Sequence, residues 1–372
     1  MLILLQVSIE QSSQLLLVTF FILIILTLLL LLGSLYLRGS HFAADKKISE
    51  LENRFYPMVL DHLEGIIPAE KILSSISGKN IEYAVLEKVI KDLIDQLQGD
   101  EALKLKELLS AGPLFNFHLK QLQARSDIEK IKACNYFSKT KLINDEVIGF
   151  LESLMDDPNR MVAYSAASAL MATHRVKVRA GALKSLARRF RISEMAVLEL
   201  LYEFKNSYED QNKEETEELY KIVLSSELPP DNRAVIILGT SEINYAGLGE
   251  LYYQLLKSEN QTWNYIKVKE ALILAQGYYF NLDATDDLIP YLDDNRPTIK
   301  RAAINVLSKF QSPRIIQLLL GHLSEKNPEL NLFIIENLMK EGCDGETILA
   351  QAPVKDSASL SALINIVEHE MS

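Results

Sequence analysis

Cysteine is almost missing: Cys134 and Cys343 are the only two in 372 residues and stand 209 positions apart. With no Cys or His neighbour at metal-ligand spacing, they exclude a disulfide framework and a zinc site and suit a reducing compartment. Glycine (15) and proline (11) are too few for a collagen-like or low-complexity chain, and 48% hydrophobic content excludes disorder. Positive charge is in deficit, 39 Lys plus Arg against 50 Asp plus Glu for a net −11, which argues against general nucleic-acid binding. Six histidines, at 41, 62, 118, 174, 322 and 369, form no His-x-x-x-His pair. Gly247-Leu248-Gly249 lacks the third glycine of a dinucleotide loop, and there is no phosphate-loop Gly-Lys-Ser/Thr. No catalytic residue, metal or cofactor is indicated, and no small-molecule substrate is expected. The length would fill roughly two or three domains of about 150 residues.

Charge is also missing from one long segment, with none from Gln11 to Leu37. Leu15 to Leu37 are 23 residues, apolar except Thr19, Thr27, Gly33 and Ser34. As a helix of about 35 Å, this run is long enough to cross a hydrocarbon core of about 30 Å. A cleaved signal peptide would carry a basic start and a shorter apolar stretch; residues 1–14 contain no Lys or Arg. The N-terminal flank offers only Glu10, whereas Arg38, Lys46 and Lys47 follow the run, so the positive-inside rule places the C-terminal side in the cytoplasm. The expected layout is an extracytoplasmic tail over 1–14, a transmembrane helix over 15–37, a juxtamembrane helical region over 38–110 and a helical solenoid over 111–372. That describes a single-pass inner (cytoplasmic) membrane protein, its N-terminus outside.

Beyond Ala43 alternating β-branched runs are wanting, and apolar residues recur with a 3.6 period. Ile81, Val85, Leu86, Val89, Ile90, Leu93 and Leu97 form one such face, closed by Gly99. Turn and N-cap chemistry recurs at Pro68, Ser77-Gly78, Gly112-Pro113, Asp157-Pro158-Asn159, Pro229-Pro230-Asp231, Asn295-Arg296-Pro297 and Asn327-Pro328. The chain also resembles itself. Met155, Leu292 and Leu323 each end an apolar helix, and seven residues later Val162, Ile299 and Leu330 begin frames continued by Ala166 and Leu170, Ala303 and Leu307, Ile334 and Leu338. Offsets of four and eight align these side chains on one helix stripe, where Ala lets a neighbour approach closely. Val178-Arg179, Ala182 and Leu186 share the frame but follow too soon for a full repeat, as a first helix imitating a second would.

Tyr291-Leu292-Asp293-Asp294, Ile299-Lys300 and Ala302-Ala303 within 288–310, and then 151–171, resemble HEAT repeats over about 120–350. The resemblance implies an all-α, armadillo-like solenoid of stacked helix pairs, with room for about seven or eight repeats of roughly 40 residues. One span followed by such an array also looks like bacterial membrane-anchored HEAT-repeat proteins. Relatives of that layout are associated with membrane glycosyltransferases of polysaccharide assembly, which implies such an enzyme as the partner of a scaffold or adaptor. The alternative is a HEAT-type enzyme or ligand-handling protein, of the phycobilin lyase or alkylpurine DNA glycosylase class, using a concave face.

Two clusters are candidate partner-binding surfaces. Residues 158–193 hold no acid, and Arg160, Arg175, Lys177, Arg179, Lys184, Arg188, Arg189 and Arg191 lie there. They could meet a lipid or an acidic partner, or be compensated by the carboxylates at 203, 209, 210, 214, 215, 217 and 218. Seven tyrosines, at 245, 252, 253, 265, 278, 279 and 291, accompany Trp263, the only tryptophan. Tyr252, Tyr253, Trp263 and Tyr265 suit a peptide groove, because such rings carry interface energy; the other reading is that they pad a core. Cys343 is either a reactive thiol or a passive loop cysteine.

Overall fold

The computed structural model describes residues 2–189, 193–206, 212–323, 327–352 and 357–371; the side chains of 2–19, 21, 33, 35–44, 206, 212, 357–359 and 371 lie outside the description. Among the described residues there are helices and turns and no β-strand. The chain divides into two units, 1–117 and 118–372.

In the first unit α1 (Leu2–Leu63) is followed by α2 (Ala69–Ser74), α3 (Asn80–Ile94) and α4 (Asp100–Leu109), and α5 (Gly112–Leu122) carries the chain into the second unit. Leu51, Phe55 and Val59, four residues apart on α1, are buried, as are Val85, Leu86, Val89, Ile90 and Leu93 of α3. Those two stripes are where α1 and α3 pack together. The α3 face expected from its periodicity is therefore a core face, although the helix stops at Ile94 and Gly99, with φ 72°, stands at the start of α4. Glu82 is buried at the head of α3 and accepts from the Ser77 backbone N–H at 2.6 Å and hydroxyl at 2.7 Å, which fixes the Ser77-Gly78 turn.

Among the described residues no helix is long and apolar enough to cross a membrane. Within 15–37 the described side chains are Phe20, residues 22–32 and Ser34, all exposed. The expected boundaries at 14/15 and 37/38 do not interrupt α1, which is continuous to Leu63.

In the second unit α6 (Asp127–Thr140), α8 (Arg160–Met171), α10 (Glu194–Asn206), α12 (Pro230–Glu242), α14 (Ile266–Tyr278), α16 (Pro297–Lys309), α18 (Pro328–Lys340) and α20 (Ser357–Met371) each pack on the next, forming one layer. Between them run α7 (Asp145–Leu154), α9 (Val176–Arg189), α11 (Asn212–Leu224), α13 (Leu248–Lys257), α17 (Pro313–Gly321) and α19 (Gly345–Gln351). In this second layer α9 touches α11, α11 touches α13 and α17 touches α19. Between α14 and α16 the second-layer helix is reduced to two 3-10 turns around α15 (Thr285–Leu288). Strict alternation between two layers is the organisation of an α-solenoid, in which no pair buries its apolar face alone.

The breaks fall where the turn chemistry puts them: Asn159 and Asn327 accept from the backbone N–H of Met161 and Leu330 at the heads of α8 and α18, and Pro230 and Pro297 open α12 and α16. Val162, Ala166, Leu170, Ile299, Ala303 and Leu307 are all fully buried. Val178-Arg179 lies on α9, in the second layer, so it is a first helix of a pair. The repeat is shorter than the expected 40: from α6 to α18 successive first-layer helices begin 31–36 residues apart.

Candidate functional site

The basic stretch is divided among several jobs. Arg175 and Lys177 are exposed at the head of α9, and Arg175 pairs with Asp145. Lys184 and Arg188 reach Glu227 at 3.5 and 3.6 Å. Arg189 donates to the carbonyls of Met155 and, at 3.1 Å, of Asp156, closing the C-terminal end of α7. Arg191 lies outside the described residues. Arg179 corrects the surface reading, because it is wholly buried. Its Nη2 donates to Glu215 Oε1 at 2.7 Å, its Nη1 to the Phe204 carbonyl at 2.6 Å, and its guanidinium lies 4.7 Å from the Phe204 ring centroid. Glu215, equally buried, accepts from the Tyr245 hydroxyl through its other oxygen. A carboxylate of the acidic run thus neutralises an arginine of the basic stretch inside the protein, the internal compensation that the run allowed. The signal was present in the helix period: Val176, Arg179, Ala180 and Leu183 lie at i, i+3, i+4 and i+7 on the buried stripe of α9.

Of the seven tyrosines and Trp263, Tyr245, Tyr252 and Trp263 are core. Tyr252 is fully buried and its hydroxyl meets Thr240 Oγ1 at 2.7 Å; Trp263 is 5% exposed beneath the Arg233 guanidinium, 5.3 Å from its ring centroid. Both are removed from the expected groove. Tyr252 shares a stripe with Leu248, Leu255 and Leu256, whereas the 3-10 turn that buries Trp263 has no period to betray it. Tyr253 is half-buried and donates to Asp287 Oδ2 at 2.6 Å, and Tyr265 is exposed. Burial pushes the Tyr252 hydroxyl well above the ordinary tyrosine range.

Two buried cations repeat the motif of Arg179. Arg233 Nε and Nη2 donate to the carbonyls of Val223 and Ser225 at 2.9 and 2.7 Å, and Lys269 Nζ to that of Leu256 at 2.9 Å. Each satisfies carbonyls at the end of the preceding second-layer helix. Burial lowers the pKa of both groups. Burial also pushes the Cys134 thiol up to about 12 and raises that of Cys343, where the Asp344 charge adds to the effect, so neither is poised as a thiolate. Among the described residues no group of three or more His, Cys, Asp and Glu is placed to hold a metal ion.

A large concavity among the described residues lies, apart from Arg160, outside both clusters. It is an open groove of about 1090 Å³ across α8 and α10, with an apolar floor from Met161, Leu186, Met195 and Leu198 and walls from Tyr164 and Tyr202. Arg160, Glu199 and Glu242 supply its charge, and Tyr164 donates to Glu199 across the seam between the two helices. Met161, Met195 and Tyr202 are 60%, 74% and 50% exposed. On α10, Met195, Leu198, Glu199 and Tyr202 occupy i, i+3, i+4 and i+7, a stripe opposite the one that enters the core. Its apolar members read in sequence as further core, which is why the groove is invisible there. Compared with known protein families and with curated proteins, the chain returns no match.

Proposed function

We propose that the chain is a membrane-tethered, non-enzymatic scaffold whose helical array binds a protein partner at the cytoplasmic face of the membrane. The observation that carries the tether is on α1: the ten Ile and Leu among residues 22–32 are 39–68% exposed. Eleven consecutive helical positions make three turns and present apolar side chains on every face. A helix docking on protein needs only a stripe, whereas one apolar all round needs a bilayer or a core around it. The basic residues Arg38, Lys46 and Lys47 beyond the run support an orientation with the array in the cytoplasm. The resemblance to membrane-anchored HEAT-repeat proteins points to a membrane glycosyltransferase as the class of partner.

Support for binding over catalysis comes from the groove. Its volume would admit a substrate, yet it is open, its floor is methionine and leucine, and its Tyr164 and Glu199 are engaged with each other. Fusions after Ser372 test the topology: a fluorescent protein is expected to mature and alkaline phosphatase to remain inactive, and active phosphatase would overturn the orientation. Purification from detergent-solubilised membranes is expected to return a membrane protein at constant stoichiometry; a chain that elutes alone at every detergent concentration would sink the scaffold reading.

A further inference from the structure

We infer that the groove across α8 and α10 is the docking site for an amphipathic helix of the partner that carries lysine or arginine beside its apolar stripe. This rests on the scaffold reading and adds to it the surface and the chemistry of the occupant. Met adapts its shape to varied side chains, and Met-lined grooves are a recurrent seat for the apolar face of a helix.

The apolar surface continues past the groove. On α12 the half-exposed positions Leu238 and Val235 lie one and two turns before Glu242, and on α14 Leu274 precedes the exposed Tyr278. Tyr278 feels the charges of both Glu242 and Glu194, and α12 packs on both α10 and α14. The surface ends at α16, where the corresponding positions are Arg301, Asn305 and Lys309, the last lying 5.1 Å from the Tyr278 ring centroid. Four neighbouring helices at about 8–10 Å apart cover roughly 27 Å, the length of about eighteen helical residues.

Charge selects among occupants of that length. Among the described residues that line the groove, Glu199 and Glu242 stand against Arg160, and the charge of Glu194 bears on Tyr278 beside them. An acidic helix, an anionic bilayer surface or a nucleic acid would be repelled, and a purely apolar segment would leave the carboxylates facing it without counter-charge. A helix with cations flanking its apolar stripe answers both features.

The test uses the full chain in zwitterionic nanodiscs, with empty nanodiscs as the blank, and fluorescence anisotropy of a labelled eighteen-residue Leu/Lys amphipathic helix. A Leu/Glu counterpart and a scrambled Leu/Lys peptide without a stripe are the controls. The Leu/Lys helix is expected to bind at least about tenfold more tightly than either control. Glu199→Lys with Glu242→Lys should weaken binding about tenfold or more and flatten its salt dependence. Met161→Gln with Met195→Gln should weaken it comparably and leave the salt dependence intact. Arg301→Gln, beyond the end of the surface, should change nothing. All of these side chains project from the helices toward solvent, and circular dichroism checks each fold; Met195→Gln alone serves if a double variant does not fold. Equal binding of either control, no binding of the Leu/Lys helix, or indifference to both groove variants would overturn the proposal.

A second arm separates this from the scaffold reading. A photo-crosslinking residue is placed at Met195 or at Tyr265 in the full chain in native membranes. Adducts from Met195 to a basic helical segment of a membrane protein are expected. Adducts from Tyr265 alone would leave the scaffold standing and remove the groove, and adducts from Met195 only to a second copy of the chain would also remove it. If neither position yields a membrane-protein adduct, the scaffold reading fails, and the peptide measurement still decides whether the groove binds a basic helix.

Discussion

A guanidinium withdrawn from water must have its charge answered within the protein. Arg179 has Glu215 Oε1 at 2.7 Å and the Phe204 carbonyl at 2.6 Å, while Glu215 spends its second oxygen on Tyr245. Removing one member leaves the other buried and uncompensated, at a cost of about 3–5 kcal/mol, whereas replacing both by apolar groups of similar size is nearly neutral or stabilising. Glu215→Leu is therefore expected to lower the urea midpoint strongly, and Arg179→Met in the same chain to restore much of the loss. If the double variant were no more stable than Glu215→Leu alone, the argument from desolvation would fail. Lys177 and Arg179 illustrate what residue type conceals. Two residues apart on α9, they lie on opposite faces: Arg179 is on the apolar stripe and Lys177 is exposed. Phase, and not local charge density, decides which of the two cations reaches solvent.

At the scale of the helix, the turns and the first-layer frames were readable because each has a local cause. Asn at a helix head has an acceptor for an otherwise unmet N–H, proline opens a helix without losing a bond, and Ala303 permits close packing. What local rules miss is how far a repeat can degenerate: over 282–293 one helix is replaced by 3-10 turns around α15, with Pro290 among them. Ala303, fully buried on α16, provides one test. Ala303→Asp places an unpaired carboxylate in a packed stripe and is expected to cost several kcal/mol; an unchanged melting temperature would refute the packing assigned to α16. The turn before α16 provides another. Arg296 donates to Asp294 Oδ1 through Nε at 2.8 Å and to Oδ2 through Nη2 at 2.6 Å. These bonds hold the Asp294 carboxyl below its usual range against the opposing effect of burial. A lowered carboxylate pKa contributes stability above the unfolded value of 3.8 and loses it as pH falls through the lower folded value. Asp294→Asn should cost about 1 kcal/mol at neutral pH, and the difference from wild type should close in acid. A gap that is constant from neutral to acidic pH would show that the charge contributes nothing.

For the molecule as a whole, the question is which part of α1 belongs to the fold. The apolar run and the buried positions lie on one continuous helix, yet their environments differ: residues 22–32 are exposed, whereas Leu51, Phe55 and Val59 are buried where α1 packs on α3. The amino-acid pattern marks this division, since apolar residues are consecutive in the first segment and spaced by four in the second. Deleting residues 1–40 removes the first and leaves the second intact. The shortened chain should be soluble without detergent, and unit 1 should keep the amide protection of α3. Deleting residues 1–63 instead removes three buried side chains, each contributing about 1.5–3 kcal/mol. The sum is comparable with the whole stability of a small domain, about 5–15 kcal/mol. Residues 64–117 should then exchange amide hydrogens freely and be cut by protease, while the layers of unit 2, with their own core, stay protected. If the shorter deletion still partitions into membranes, the tether lies elsewhere. If the longer deletion leaves α3 protected, α1 is dispensable to unit 1 and its buried stripe serves something other than the fold.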